Sequence, residues 1–401
     1  MIIISNLRKE TKGPFVRIVC DIESDFSSVG ELWFSVPQEY GDWMTDDVYD
    51  AFMLAMLYPA MLYNEPLEIK GCVTKRIYHN IVQYAQSILS QFDDKLNFVD
   101  VSVIGYKEAE QMADLHVGTG FSGGVDSFAT VIDNFFSAKD NDYKLDTLFF
   151  FHMGQYGDVK KDDTWERALN RFSITRDFAG EVGMEAVMMN TNLFDFYKPS
   201  WEFSLGLICR IVGVLVFQRS LKLYFISSSN SYQEWALATN RFEELTDFAD
   251  PYLMPLLSTG KLEIVFDGGQ YKRTEKTAKL VDNPFAQRYL NVCVDKSDNH
   301  TSATNCSRCD KCLRTLMALE SLGALDKFKM VFDLNEYSRQ KFRFKCRTRL
   351  AYKKSQIARD NIDFARKHNK RVPTYLQAFL YVLKERIVHL DKRTIKRIIT
   401  R

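Results

Sequence analysis

Residues 118–127 read Gly-Thr-Gly-Phe-Ser-Gly-Gly-Val-Asp-Ser, and no other stretch constrains the chain as tightly. An apolar run with Leu115 and Val117 precedes the segment, and a helical pattern of Phe128, Ala129, Val131, Ile132 and Phe135 follows it. A strand that turns through adjacent glycines into a helix makes an anion site. Backbone N–H groups at the helix start point outward unpaired, and the helix dipole favours negative charge there. Gly123 and Gly124 let the backbone curl around an oxyanion with no Cβ in the way. Ser122 and Ser127 add hydroxyl donors. The plain alternative is a glycine-rich hairpin, but a preceding strand and a following helix are the context a phosphate loop requires.

Gly118, Gly120 and Gly123 also fit the dinucleotide fingerprint G-x-G-x-x-G, a weak match when it stands alone. No Walker-type loop ending in Gly-Lys-Ser/Thr occurs, so no P-loop lysine is available for β/γ-phosphates. The six residues Ser122, Gly123, Gly124, Val125, Asp126 and Ser127 instead resemble the pyrophosphate loop of the PP-loop ATPases. The resemblance implies that this loop holds the ATP phosphates while the α-phosphate is attacked and pyrophosphate leaves.

Cysteine spacing gives the second signal. Of the eight cysteines, Cys293, Cys306, Cys309 and Cys312 crowd together as C-x12-C-x2-C-x2-C. Met1-Ile2-Ile3-Ile4 is too short for a signal peptide and lacks a basic flank. A cytoplasmic chain is therefore expected, where disulfides are rare and clustered cysteines read as metal ligands. Four thiolates suit a closed tetrahedral zinc site, and an iron–sulfur cluster is the chief rival. Lys296, Arg308, Lys311 and Arg314 would lower the thiol pKa values and offset the charge of such a site. Cys20, Cys72, Cys209 and Cys346 sit in apolar or basic contexts and read as packing residues.

Loop and cysteines together resemble the QueC family, the 7-cyano-7-deazaguanine synthases, within the PP-loop superfamily. His152-Met153-Gly154-Gln155-Tyr156-Gly157 is similar to that family's strand end, and Asn305-Cys306-Ser307-Arg308-Cys309-Asp310-Lys311-Cys312-Leu313-Arg314-Thr315 resembles the zinc knuckle of its larger members. Those larger members occur in antiphage defence loci of the Qat and type IV CBASS kinds. The resemblance implies an α/β fold with a parallel, doubly wound, adenine nucleotide alpha hydrolase-like sheet. It also implies ATP, Mg2+ and Zn2+ as cofactors and a deazaguanine-type substrate.

The 401 residues are too many for one core, so two or three domains are expected. No stretch approaches eighteen apolar residues, so no membrane span is expected. The net charge is +1, yet residues 327–401 carry 22 Lys+Arg against 6 Asp+Glu. That asymmetry marks a tail module. Three domains follow: an α+β domain over 1–113, the QueC-like domain with its knuckle over 114–325, and a basic helical extension over 326–401. In the first, a Met/aromatic helix around Asp47–Tyr63 reads as core. In the second, strands at 115–121, 146–152, 185–190, 222–227 and 262–266 alternate with helices at 127–138, 163–182 and 203–219, the pattern of a parallel sheet. In the third, helices are expected near 349–368 and 373–389. The basic/aromatic run 341–347 admits tRNA as a partner, but a solvated basic cap is the simpler reading.

A loop that grips pyrophosphate without a P-loop lysine suits attack on the α-phosphate. A carboxylate nucleophile would give an acyl-adenylate, and an amine would then displace AMP. Asp126 either caps the helix or touches Mg2+ through water. Arg273 and Lys276 resemble the family's basic segment and are expected to hold charge on the leaving group; a solvated basic turn is the alternative. Ser227–Asn230 are candidates for reading the base, and His152 is expected only to pack. The large chain favours a partner protein from the same operon, with its N-terminal amine as acceptor, over ammonia, the acceptor in the ordinary synthase. A tRNA-thiolating enzyme and a non-catalytic nucleotide-binding scaffold are the other readings.

Overall fold

In a computed structural model, residues 1–153, 162–197, 208–237, 250–293, 304–385 and 387 are described. The strands are β1 (Ile2–Lys12), β2 (Phe15–Glu23), β3 (Glu31–Pro37), β4 (Leu67–Val73), β5 (Val101–Tyr106), β6 (His116–Gly120), β7 (Thr147–His152), β8 (Glu185–Thr191), β9 (Leu221–Ser227) and β10 (Glu263–Asp267). The helices that matter here are α1 (Asp50–Tyr63), α2 (Val125–Val131), α3 (Asp162–Val182), α4 (Arg210–Val216), α5 (Arg273–Leu280), α6 (Asp310–Ser321), α7 (Leu334–Ala351) and α8 (Gln356–Lys367). The chain forms two compact units: Met1–Ser122 with Asp133–Gly269, and Gly123–Ile132 with Gln270–Arg401.

The first unit is built on one ten-stranded sheet in the order β10-β9-β6-β7-β8-β3-β2-β1-β4-β5. Six neighbouring pairs are parallel and three antiparallel, so the sheet is mostly parallel. Its central strands are apolar on both faces, as strands covered on both sides must be. Phe149, Val187 and Met189 join the large core that includes α1 and α4, whereas Phe150 and Met188 pack with Ala168 and Trp165 of α3. Alternation along β7 and β8 thus sends successive side chains to opposite helical layers. From β6 the chain steps one way through β7 and β8, while β9 and β10 lie on the other side of β6. That reversal is a topological switch point, and ligands of open α/β sheets bind beyond the carboxyl ends of the strands there.

The expected Met/aromatic helix is α1, and it is apolar all round rather than striped: Phe52, Met53, Met56, Leu57, Tyr58 and Met61 are all buried. It ends at Asn64, whose left-handed φ of 55° closes the last turn on Ala60 O.

The compact units do not follow the boundaries at 113/114 and 325/326. β3 pairs with β8 through Phe34↔Thr191 and Ser35↔Asn190, which fuses residues 1–113 into the same sheet as the middle segment. Asn192 continues the junction, accepting from Trp33 N at 2.9 Å and donating to Glu31 O at 2.8 Å.

In the second unit, α6 packs with α5, α7 and α8. Met317 of α6 shares a small core with Ile362 and Ala365 of α8, flanked by Phe344, Tyr352 and Val372. The region beyond 326 is therefore continuous with the cysteine segment. Helix was expected from about 349, but α7 begins at Leu334, capped by Asp333, whose carboxylate accepts from Asn335 N and Glu336 N. The basic run 341–347 lies inside α7. Lys345 pairs with Glu320 at 2.6 Å and Arg343 with Glu385 at 3.1 Å, so part of the tail's charge is matched internally.

Candidate functional site

The segment that opens α2 shows why glycines stand where they do. Gly123 has φ +72°, a left-handed conformation, and its carbonyl accepts from Asn291 N at 2.7 Å. A Cβ there would meet Asn291 Cβ and Tyr289 O at 3.3 Å, so a side chain is opposed by both conformation and space. Gly124 is the N-cap, in extended conformation and without a side-chain cap. The expectation that Asp126 caps this helix is corrected: it lies in the first turn instead. Ser127, buried, donates its hydroxyl to Gly124 O at 3.1 Å, whereas Ser122 is exposed.

Asp126 turns to α5. Its carboxylate is bonded by Arg273 Nη1, and Lys276 Nζ lies 3.6 Å from its other oxygen. Residues 273 and 276 are one helical turn apart and so share a face. Lys276 is 1 % exposed, a degree of burial that lysine rarely tolerates unpaired. The two basic residues and the loop acid read from the sequence thus converge.

Two further cations belong to this group. Arg314 is pushed down to about 10 by burial, then by the Arg273 charge, against the pull of Asp126 and Asp310. Lys311 is lowered in the same way, by burial and by Arg273 and Arg314. Lys311 remains exposed at its surface and Arg314 half-buried, so this desolvation is partial. From the sequence both were assigned only to the thiolates. The clue to a second role was their three-residue spacing, which places them together on α6.

The four cysteines also converge. The Sγ atoms of Cys293, Cys306, Cys309 and Cys312 all lie within 4.8 Å of one another, with Cys309–Cys312 at 3.4 Å and Cys306–Cys312 at 3.8 Å. Four thiolates around one zinc at the usual bond length stand about 3.8 Å apart. A four-iron cube, which must fit between its ligands, needs them farther apart. The cluster could hold a metal ion such as zinc. Cys309 N donates to Cys306 Sγ at 3.3 Å, the kind of bond that stabilises a thiolate. Burial nevertheless pushes the Cys306 thiol up to about 11, and hydrogen bonds among the crowded thiols, chiefly with Cys293 and Cys309, push Cys312 higher still. A metal ion bound there would displace these protons, which solvent alone does not readily take.

Asn305, not singled out by sequence reasoning, ties the cluster together. Its buried amide accepts from Val292 N and Cys293 N at 2.8 and 3.1 Å, and donates to Leu290 O and Val331 O at 2.8 and 2.9 Å. It thereby sets the distant Cys293 against the Cys306–Cys312 turn, in which Ser307 takes a left-handed φ of 56°.

His152 and Ser227–Asn230 lie in the first unit. His152 is fully buried, with Nδ1 2.9 Å from Asn190 Oδ1 and its ring 5.8 Å from Trp165. Burial lowers its pKa, with Asn190 opposing. Residues 154–157 and Lys296 lie outside the described residues. Ser227 ends β9, next to β6 in the sheet, and Ser228 N bonds Asp267 O at 2.8 Å. Among the described residues, no helix is long and apolar enough to cross a membrane.

Fold and site define an α/β protein with a large, mostly parallel sheet, a glycine-opened helix facing a cationic cluster, and a four-cysteine centre fit for a metal. Comparison with protein-family models, curated proteins and solved structures finds no match.

Proposed function

We propose that the chain is a QueC-like PP-loop enzyme that uses ATP to adenylate the carboxylate of a deazaguanine-type base and passes the acyl group to an amine. The observation that carries this reading is the convergence of Asp126, Arg273 and Lys276 beside the loop Gly123–Ser127. Backbone donors and buried cations together suit a polyphosphate and oppose neutral ligands. The switch-point position of β6 supports the same reading.

In the reaction, a carboxylate oxygen attacks the α-phosphorus and the bond to the β-phosphate breaks, releasing pyrophosphate. The amine nitrogen then adds to the acyl carbon, AMP leaves, and the amine proton passes to solvent. Arg273 and Lys276 stabilise charge that grows on the leaving group, where fixed cations are most effective. Mg2+, when bound with ATP, supplies further neutralisation of the phosphates. The four cysteines hold zinc as a structural ion. The acceptor is read as the N-terminal amine of a partner protein, because sequence flanking the PP-loop segment on both sides exceeds what ammonia transfer requires.

The test is incubation of the protein, co-purified with its genomic neighbours, with ATP and a 7-carboxy-7-deazaguanine. Equal release of AMP and pyrophosphate with a mass gain at a neighbour's N-terminus supports the reading. A nitrile product formed with ammonia alone assigns the ordinary synthase reaction. Absence of pyrophosphate with any carboxylate removes the enzymatic reading.

A further inference from the structure

We propose that the outward face of the helix closing the described chain is a docking surface for an amphipathic helix of another protein, one whose apolar stripe is flanked by Asp and Glu. The inference is independent of the adenylation reading and needs neither ATP nor a base. Helix α9 (375–385) begins with a reciprocal cap: Thr374 Oγ1 accepts from Gln377 N at 3.2 Å, and Gln377 Oε1 accepts from Thr374 N at 3.0 Å. One side of α9 is anchored. Ala378 is fully buried, Tyr381 meets the Phe342 ring of α7 edge-on at 5.0 Å, and Glu385 pairs with Arg343 of α7. At about 100° per residue, positions 376, 380 and 383 fall on the opposite side. Leu376, Leu380 and Leu383 are 65, 54 and 42 % exposed there, Ile387 continues the row at 53 %, and Tyr375 and Phe379 widen it.

Spacing and charge identify the occupant. Single exposed apolar residues are ordinary, but a contiguous stripe marks an interaction site. The steps from 376 to 380, 383 and 387 are four, three and four residues, the seam by which one helix receives the side chains of another. It runs for about 17 Å, three turns of helix. Residues 364–387 carry six Lys or Arg and a single acid, Glu385, which is turned to Arg343. Lys384 stands exposed one turn from Leu380, and Lys370 and Arg371 stand exposed ahead of the helix. A second copy of the chain would set these cations against each other, whereas carboxylates along the flanks of an occupant are drawn to them. A lipid surface fits less well. An interfacial helix keeps a charged face toward water, but the side of α9 opposite the stripe is taken up by Ala378 and Tyr381 against α7.

The experiment titrates the full chain into a fluorescently labelled synthetic helix of about five turns, with leucines spaced alternately four and three residues apart and glutamates on both flanks, and reads anisotropy. Binding is expected, and it weakens as salt is raised. A counterpart peptide with lysines in place of the glutamates is expected to bind about tenfold more weakly or worse. Leu380→Gln and Leu383→Gln are each expected to weaken binding of the acidic helix by about tenfold, the loss of one buried leucine contact. Lys384→Glu weakens it in the same direction. Thermal unfolding, measured in parallel, stays at the wild-type midpoint for all three variants, because the side chains replaced are exposed. Should either glutamine variant lose stability, Lys384→Glu alone carries the comparison. Equal affinity for the two peptides, or glutamine variants that bind as wild type does, overturns the proposal. So does binding to phosphatidylserine vesicles that the glutamine variants lose while the acidic helix stays unbound, which assigns the face to a membrane. A wild-type dimer in sedimentation that Leu380→Gln abolishes gives the face to a second copy, and peptide binding that appears only after residues 388–401 are removed gives it to the chain's own end; either result overturns the proposal as well.

Discussion

Asp126 and Arg273, 147 residues apart in sequence, form a charge-assisted pair in which the first turn of the loop helix is bonded to the first residue of α5. Lys276 adds a second cation to the same carboxylate. Asp126 thus serves as counter-ion to both Arg273 and Lys276, and its mutation has two opposite consequences.

Asp126→Asn removes the charge that Arg273 and the buried Lys276 face. Breaking a buried pair from one side is strongly destabilising, and because Asp126 is one-fifth exposed the expected loss is about 2 kcal/mol. The same change leaves the cations freer, so metal-free pyrophosphate binds more tightly than to wild type. Thermal unfolding with and without pyrophosphate reads both effects. Weaker pyrophosphate binding in the variant would assign Asp126 to the ligand rather than to the cations.

Asn305→Ala tests the link between the two halves of the cysteine cluster. The amide makes four hydrogen bonds from a position 1 % exposed, and its removal strands backbone groups at 290, 292 and 293, while Val331 O keeps its bond from Asn305 N. A loss of about 3 kcal/mol is expected, along with weaker zinc retention, because Cys293 is no longer held against the turn. Competition with a chelator measures retention and chemical denaturation measures stability. A variant that keeps its zinc as wild type does would show that Cys293 is positioned by other contacts.

The strands β6 to β10 were legible because each is an apolar run separated by helical or turn-rich sequence, and periodicity reports that directly. The cysteine centre was legible because ligand spacing within a knuckle is local. Two features were hidden for a common reason. The pairing of Phe34 with Thr191 and the meeting of Asp126 with Arg273 both join residues about 150 positions apart, and local pattern says nothing about such partners. The misplaced start of α7 has a different cause. Lys/Arg alternating with Phe over 341–347 mimics a two-residue period, yet Phe344 and Thr348 lie on one helical face. The capping signal at Asp333 with Glu336 three residues later stood in the sequence and was the better guide.

His152 supplies a pH prediction that separates packing from catalysis. Its imidazole is fully buried against Asn190 and Trp165, and burial holds its pKa below the ordinary value of about 6.5. Above that value the side chain is neutral in both folded and unfolded chains and contributes no pH dependence. As the pH falls through it, the unfolded chain takes up a proton that the folded chain refuses, so stability declines until the folded pKa is passed. His152→Gln can keep a donor toward Asn190 Oδ1 but cannot titrate. Urea unfolding at pH 7.5 and pH 5 should show a smaller acid loss in the variant than in wild type, the difference between the two chains isolating this residue from the carboxylates. Equal losses would mean that the folded protein protonates His152 as readily as the unfolded chain does, which its burial opposes and only an anionic neighbour could bring about.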